Sequence, residues 1–262
     1  MGANNNYVVD TLTALATLSI FQANYAQASS LLQRAIDICD QFGEICGWRK
    51  SIAVNYQAMI AIHLEKYDQA ESLFQQALTL AQQTVGPEHL FTIGILTNVG
   101  ALAIEQGQFS RADELLQRSL RLTEQKLGQE HADVAKIIQL LAILSTRRRD
   151  YVQAEQCYRR ALSIREQALE SEHPHLAESL AGLAELYMLQ GRYEESERLY
   201  WRALSIREQR LRPDHPDTRE TRQNLALLQM TRKAQEAERQ AGTFIATSYG
   251  HSKVTSDTQN SA

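Results

Sequence analysis

Residues 172–178 read EHPHLAE, which places Glu172, His173, His175 and Glu178 within seven positions. Imidazoles and carboxylates are the side chains a metal-dependent hydrolase uses, and zinc takes three or four such ligands in a closed or nearly closed shell. The spacing fits neither the HExxH helix motif nor a Cys/His finger. The segments GPEHLFT, GQEHADV and RPDHPDT recur elsewhere in the chain, so His173 belongs to a repeated loop while His175 has no counterpart. Equivalent histidines two helix diameters apart stand roughly 16–20 Å from one another, too far to share an ion. The segment is therefore read as loop and helix-start punctuation, with the acidic residue before each histidine supporting the next helix start.

Other chemistry is absent from the sequence in the same sense. There is no GxGxxG, no GxxxxGK[ST] and no GxSxG, so neither a phosphate cradle nor a nucleophile elbow is expected. Glu194 and Glu195 fall on a solvated helix face, and Arg147, Arg148 and Arg149 close a helix whose dipole they complement. The expectation is a protein that is not an enzyme and needs no metal or other cofactor.

Composition bounds the partner. The 262 residues are 44% hydrophobic and 22% charged, ordinary for a folded protein, and the net charge of -4 supplies no basic field for nucleic acid. No stretch approaches the ~20 apolar residues that span a bilayer. The opening MGANNNYVVD lacks the regions of a signal peptide, and Asn6 stands where a myristoylation signal takes Ser or Thr. A cytoplasmic location without membrane contact is expected. Cys39, Cys46 and Cys157 form no CxxC pair and are read as reduced thiols, a Cys39–Cys46 disulfide being the sole local alternative.

The elements that must position these residues follow from a period. His89, His131, His173 and His215 are 42 residues apart, as are Tyr25, Tyr67, Phe109, Tyr151 and Tyr193, and RALSIREQ occurs at both 160–167 and 202–209. Each unit holds two stretches with apolar residues at helical spacing, exemplified by 179–190 and 193–211, joined by a turn at Gly191 or Gly107. Pro87, Pro174, Pro213 and Pro216 all lie between units or in a first helical turn. One column of the first helix is Ala16, Ala58, Gly100, Ala142, Ala184 and Ala226; Ala28, Ala70, Ala112, Ala154 and Ser196 form a second-helix column. Such small residues let helices approach closely. Beside them Leu32, Phe74, Leu116, Tyr158 and Tyr200 form a column of knobs. The fold class is all-α.

These columns resemble the tetratricopeptide repeat, and the 42-residue interval with HPDT, NLALL and GRYEESERLYWRALSIREQ is similar to the longer-period form in kinesin light chains. The resemblance implies a right-handed α-solenoid. It covers residues 7–240 as five helix pairs plus a C-terminal capping helix, leaving 1–6 as a leader and 241–262 as a disordered tail. It departs from the family at the late first-helix tyrosine, present only as Tyr187.

In such a solenoid the first helices line a concave surface. The repeat register places Asn55 and Met59 there, then Thr97, Asn98 and Ala101, then Lys136, Gln139, Ile143 and Arg147, then Glu178 and Glu185, and finally Asn224. Amides beside apolar patches suit an extended peptide, whose backbone the amides can bond. In kinesin light chains a mid-helix asparagine recurs in the groove; Asn98 and Asn224 match it, whereas Ala14, Tyr56, Leu140 and Gly182 do not. The Lys and Asn set of a carboxylate clamp is missing, and negative charge gathers at Glu178, Glu185 and Glu220, so the expected ligand is a protein or peptide segment with a basic end. Two alternatives stand beside this reading. One is self-association into a homo-oligomer through the first helix, where Val8, Val9, Leu12, Leu15 and Phe21 begin without a polar cap; the other is a metal-dependent enzyme. The tail segment TFIATSY is a candidate internal ligand for the groove.

Overall fold

The computed structural model describes the backbone of residues 2–211 and 213–254, and side chains over 6–43, 46–211 and 213–238. The described residues form α1 (Gly2–Phe21), α2 (Tyr25–Phe42), a 3-10 turn (Gly43–Cys46), α3 (Gly47–His63), α4 (Tyr67–Thr84), α5 (Leu90–Glu105) and α6 (Phe109–Leu127). The series continues with α7 (Ala132–Arg147), α8 (Tyr151–Ala168), α9 (Pro174–Leu189), α10 (Tyr193–Arg210) and α11 (Pro216–Val254). Odd-numbered helices are first helices and even-numbered ones second helices, each packed chiefly on its neighbours in sequence. The result is an α-solenoid. Helix is present from Gly2 and α11 runs to Val254, so the helices overrun the leader and tail boundaries drawn from the sequence; 255–262 lie outside the described residues.

Each hairpin turns through one left-handed residue. Ala23, Glu65, Gly107, Arg149 and Gly191 have φ of 56, 58, 72, 63 and 74°, spaced by the repeat. The next residue's N–H reaches back five positions, as in Asn24 to Ser19 O (2.8 Å), Asp150 to Ser145 O (2.9 Å) and Arg192 to Tyr187 O (2.8 Å). Glycine fills only two of the five positions. At the other three the chain accepts a conformation costing an L-residue about 1–2 kcal/mol, so these closing bonds and the packing around them fix the turn.

Between hairpins the periodic histidines cap the first helices. Nδ1 of His89, His131, His173 and His215 accepts the N–H of Phe91, Asp133, His175 and Asp217 at 3.2, 3.1, 3.2 and 3.3 Å. An acceptor Nδ1 requires a neutral ring with its proton on Nε2. The ring of His173 is thus engaged at a helix start, and among the described residues no three His, Cys, Asp or Glu side chains are grouped to hold a metal.

The small-residue columns lie where helices cross. Ala16, Ala58, Ala142 and Ala184 are fully buried, with Leu32, Phe74, Leu116, Tyr158 and Tyr200 packed into the same core. Burying each large knob contributes about 1.5–3 kcal/mol. Ala226, last of its column, is exposed, because among the described residues no second helix packs on that face of α11.

One slot near the end of the second helices fastens a unit to the next in three of the five, α2, α8 and α10. In α8 it is Arg165, whose guanidinium donates to Gln139 Oε1, His175 O (2.7 Å) and Ser179 Oγ (2.7 Å). In α10 it is Arg207, donating to Asp217 O (2.8 Å) and Thr221 Oγ1. In α2 it is Cys39, which is disulfide-bonded to Cys46 across a Cα–Cα distance of 5.1 Å. This corrects the reading of three reduced thiols: the 3-10 turn folds the short link back so that the two buried cysteines meet, leaving Cys157 as the free one.

The solenoid curves far enough for its ends to touch. Nε2 of His215, before α11, lies 2.9 Å from the carbonyl of Phe21 at the end of α1, and Nδ1 is already accepting, so Nε2 is the donor. Tyr25 stacks on His63 beside this contact at 5.1 Å between ring centroids.

Candidate functional site

A polar ladder crosses three successive first helices on the concave side. Asn98 Nδ2 donates to Asn55 Oδ1 (3.1 Å), Lys136 Nζ donates to Asn98 Oδ1 (3.3 Å), and Asn55 Nδ2 approaches Met59 Sδ (3.9 Å). Helices α3, α5 and α7 supply these groups from slots within about one helical turn of the 42-residue register, which is why side chains 38 and 43 residues apart meet. Lys136 is exposed to solvent yet walled by protein. Burial in the concavity pulls its ammonium below the ordinary lysine range, against the opposing pull of Glu178 and Asp133 and with a further push from Arg165.

Further along the same face lies an open depression of about 310 Å³. Its lining includes Glu105, Ile143, Arg147, Tyr158, Glu178, Gly182, Glu185, Glu220 and Asn224. Gly182 shapes its floor: a Cβ there would stand 2.5 Å from Cε1 of Tyr158, so the missing side chain admits the tyrosine ring. Four carboxylates surround this space in different states. Glu105 lies 3.8 Å from Arg147. Glu178 lies 3.3 Å from Arg165 and 3.4 Å from His175. Burial works against ionised Glu178, but His175, Arg165 and Lys136 outweigh it and hold the carboxyl below the usual range. Glu185 is pushed the other way, first by burial and then by Glu220, against a smaller opposing pull from Arg147. Within the described residues, neither Glu185 nor Glu220 has an ion pair. Glu185 and Glu220 thus stand unpaired at its C-terminal side, where the Arg207 guanidinium also lines the depression.

The residues expected on the concave face divide by depth. Asn98, Lys136, Arg147, Glu178, Glu185 and Asn224 are exposed or half-buried there, with Met59, Ala101 and Ile143 half-buried between them. Asn55 is buried but keeps its amide in the ladder. Thr97 is buried with its hydroxyl bonded to Ile93 O (3.0 Å), and Gln139 is buried with its carbonyl taken by Arg165 and Ser179 (2.9 Å). Both belong to the wall of the groove. Glu105 and the Tyr158–Gly182 pair escaped the sequence reading, although Gly182 alone placing a glycine in its slot, where other units carry Ala14, Tyr56, Asn98, Leu140 and Asn224, was a readable signal. A wider depression of about 940 Å³ lies off this face near Trp48, Thr84 and His89; no Asp, Glu, Lys or Arg lines it.

Tandem helical hairpins with a shared concave polar face define a helical-repeat solenoid. The tetratricopeptide repeat model matches residues 51–125, 133–208 and 177–242, and the chain belongs to that family. Among solved structures, BtubC (BKLC) from P. vanneervenii is similar at 20% identity and a TM-score of 0.62, over 79% of this chain and 82% of that one. A putative kinesin light chain with nearly identical TPR-like repeats from Podosopora anserina aligns at 20% identity and TM-score 0.54, over 78% and 97%. The Rap conjugation gene regulator of plasmid pLS20, in complex with the Phr* peptide, aligns at 15% identity and TM-score 0.71, over 84% and 58%. These likenesses are of fold. No curated protein matches the sequence, and among the described residues no helix is long and apolar enough to cross a membrane.

Proposed function

We propose that this protein is a non-catalytic scaffold that binds an extended segment of a partner protein along its concave face. The observation that carries the reading is the ladder of Asn55, Asn98 and Lys136 across three first helices, in which buried Asn55 anchors the half-buried Asn98 amide and the exposed Lys136 ammonium toward whatever lies in the groove. Asn98 offers the amide that a peptide backbone requires, and Met59, Ala101 and Ile143 supply half-buried apolar surface for its side chains. A basic end of the segment lies toward Glu185 and Glu220, the two carboxylates of the depression that have no ion pair among the described residues. The Rap regulator, a protein of similar fold, is recorded with a peptide bound, which makes peptide capture by this architecture physically reasonable.

The test compares proteins retained from native lysate by the immobilised chain and by an Asn98→Ala, Lys136→Glu variant shown to be folded by circular dichroism. The reading expects at least one protein to be lost with the variant. Retention of the same set on both would remove the concave face as the working surface.

A further inference from the structure

The outer face of α1 carries apolar side chains in slots that later units bury. The counterparts of Leu18, namely Ile60, Leu102, Leu144, Leu186 and Leu228, are all 2% exposed or less, whereas Leu18 is 55% exposed. Leu15 is 46% exposed against 7% or less for Leu141, Leu183 and Leu225, and Val8 is 43% exposed against 0% for Val134 and Leu176. In those units the preceding second helix supplies the cover; among the described residues nothing packs on this face of α1.

Three features of the stripe say what fits it. Val8, Thr11, Leu15 and Leu18 follow the three-four spacing of a coiled-coil seam. The Thr11 hydroxyl is bonded to Tyr7 O (2.7 Å), so its methyl is free to face a neighbour without stranding a donor. Asp10 is the one charged residue in α1, and Arg49 holds it at 2.8 Å. A face without free charge meets its own copy without like-charge repulsion, and a two-fold axis makes one patch complementary to itself. With Tyr7 and Phe21 exposed at the ends, the stripe covers roughly 500 Å² per copy, in the upper part of the range for the largest apolar patch on a single chain, which is often functional. Two copies would together bury about 1,000 Å², the lower bound of specific interfaces.

We propose that this face is a homodimer interface in which α1 of one copy lies antiparallel to α1 of another, Leu18 of each near Val8 of the other and Leu15 near Thr11. The interface is separate from the concave groove and leaves it open. At this area the dimer forms and dissociates with concentration.

Sedimentation velocity of the full chain from low to high micromolar concentration tests it, beside a Leu15→Glu, Leu18→Glu variant and a Leu227→Glu, Met230→Glu control at the exposed face of α11. The expected result is a concentration-dependent shift from monomer to dimer, weakened about tenfold or more in the α1 variant and unchanged in the control. Circular dichroism checks folding; should the double variant unfold, single Leu18→Gln reads the same shift. A wild-type chain that stays monomeric overturns the proposal. So does a dimer that survives the α1 substitutions, or assembly that grows past two copies, which would indicate head-to-tail stacking.

Discussion

Replacing Glu185 and Glu220 with glutamine should make the protein more stable and a weaker binder at once. Of the four carboxylates around the depression, Glu105 and Glu178 are engaged by Arg147, Arg165 and His175, leaving Glu185 and Glu220 without an ion pair among the described residues, with the Arg207 guanidinium also in the lining. A guanidinium seated near both gains about 1 kcal/mol per carboxylate, after discounting the Coulomb term for the partial exposure of the site. Losing both charges therefore costs about 2 kcal/mol of binding, or about 30-fold in Kd. Stability moves in the opposite direction because the fold holds the Glu185 carboxyl above its ordinary range. A group raised in the folded state contributes stability below its unfolded value and loses it as pH rises through the raised one, so at neutral pH the charge at Glu185 opposes folding. Fluorescence anisotropy with a short labelled Ser/Ala peptide ending in Arg measures the binding; thermal denaturation measures the stability. The difference in Kd should shrink at high salt. If the Arg peptide binds wild type and variant alike, or a peptide with Glu in place of the Arg binds equally well, the charge argument fails.

Two further outcomes follow from the same structure. Gly182→Ala places a Cβ 2.5 Å from the Tyr158 ring, which is nearly fully buried, and should lower stability by about 1–3 kcal/mol in chemical denaturation; an unchanged midpoint would mean the ring has room to withdraw. Acid should destabilise the fold below about pH 6.5, the ordinary imidazole value. Burial lowers His63 against a weaker pull from Asp217, and burial, His175 and Arg165 lead the lowering of His173. The unfolded chain then binds more protons in that window, so stability present above it is lost as pH falls through the depressed folded values. His173→Asn keeps a capping acceptor without titrating and should reduce the loss between pH 7.5 and 5.5; an undiminished loss would place the effect elsewhere.

What the sequence disclosed and what it withheld divide along a physical line. A period of 42 with small residues in fixed columns determines which faces of which helices meet, because packing repeats when spacing and volume repeat; the core columns and the hairpin turns were legible for that reason. The turn conformation outran its residue signal, since Ala23, Glu65 and Arg149 adopt the same left-handed geometry as Gly107 and Gly191. Side-chain partnerships were not legible, because a register position gives a direction and says nothing of what already occupies the polar groups. Gln139 illustrates this: its slot faces inward along the groove, yet its carbonyl belongs to Arg165 and Ser179 and cannot be offered to a ligand without breaking the bonds that bring α7 into the joint between α8 and α9.

That joint explains why functional and structural residues interleave on one face. Cys39, Arg165 and Arg207 occupy the same position in different units and fasten the next unit by a disulfide or by buried hydrogen bonds. Each fastener is local to one pair of units, and in a solenoid stability is a sum of such local terms, so a unit can exchange its fastener without disturbing the rest. The acceptors Arg165 and Arg207 require, on Ser179 and Thr221, lie within one helical turn of the acidic positions Glu178 and Glu220. Arg165 reaches Glu178 and neutralises it, whereas Arg207 is taken up by Asp217 O and Thr221 and, among the described residues, pairs with no carboxylate. The same arginine in two consecutive units therefore pairs with a carboxylate in one and, among the described residues, leaves Glu220 without an ion pair in the next, while the Arg207 guanidinium keeps its charge in the lining of the same depression.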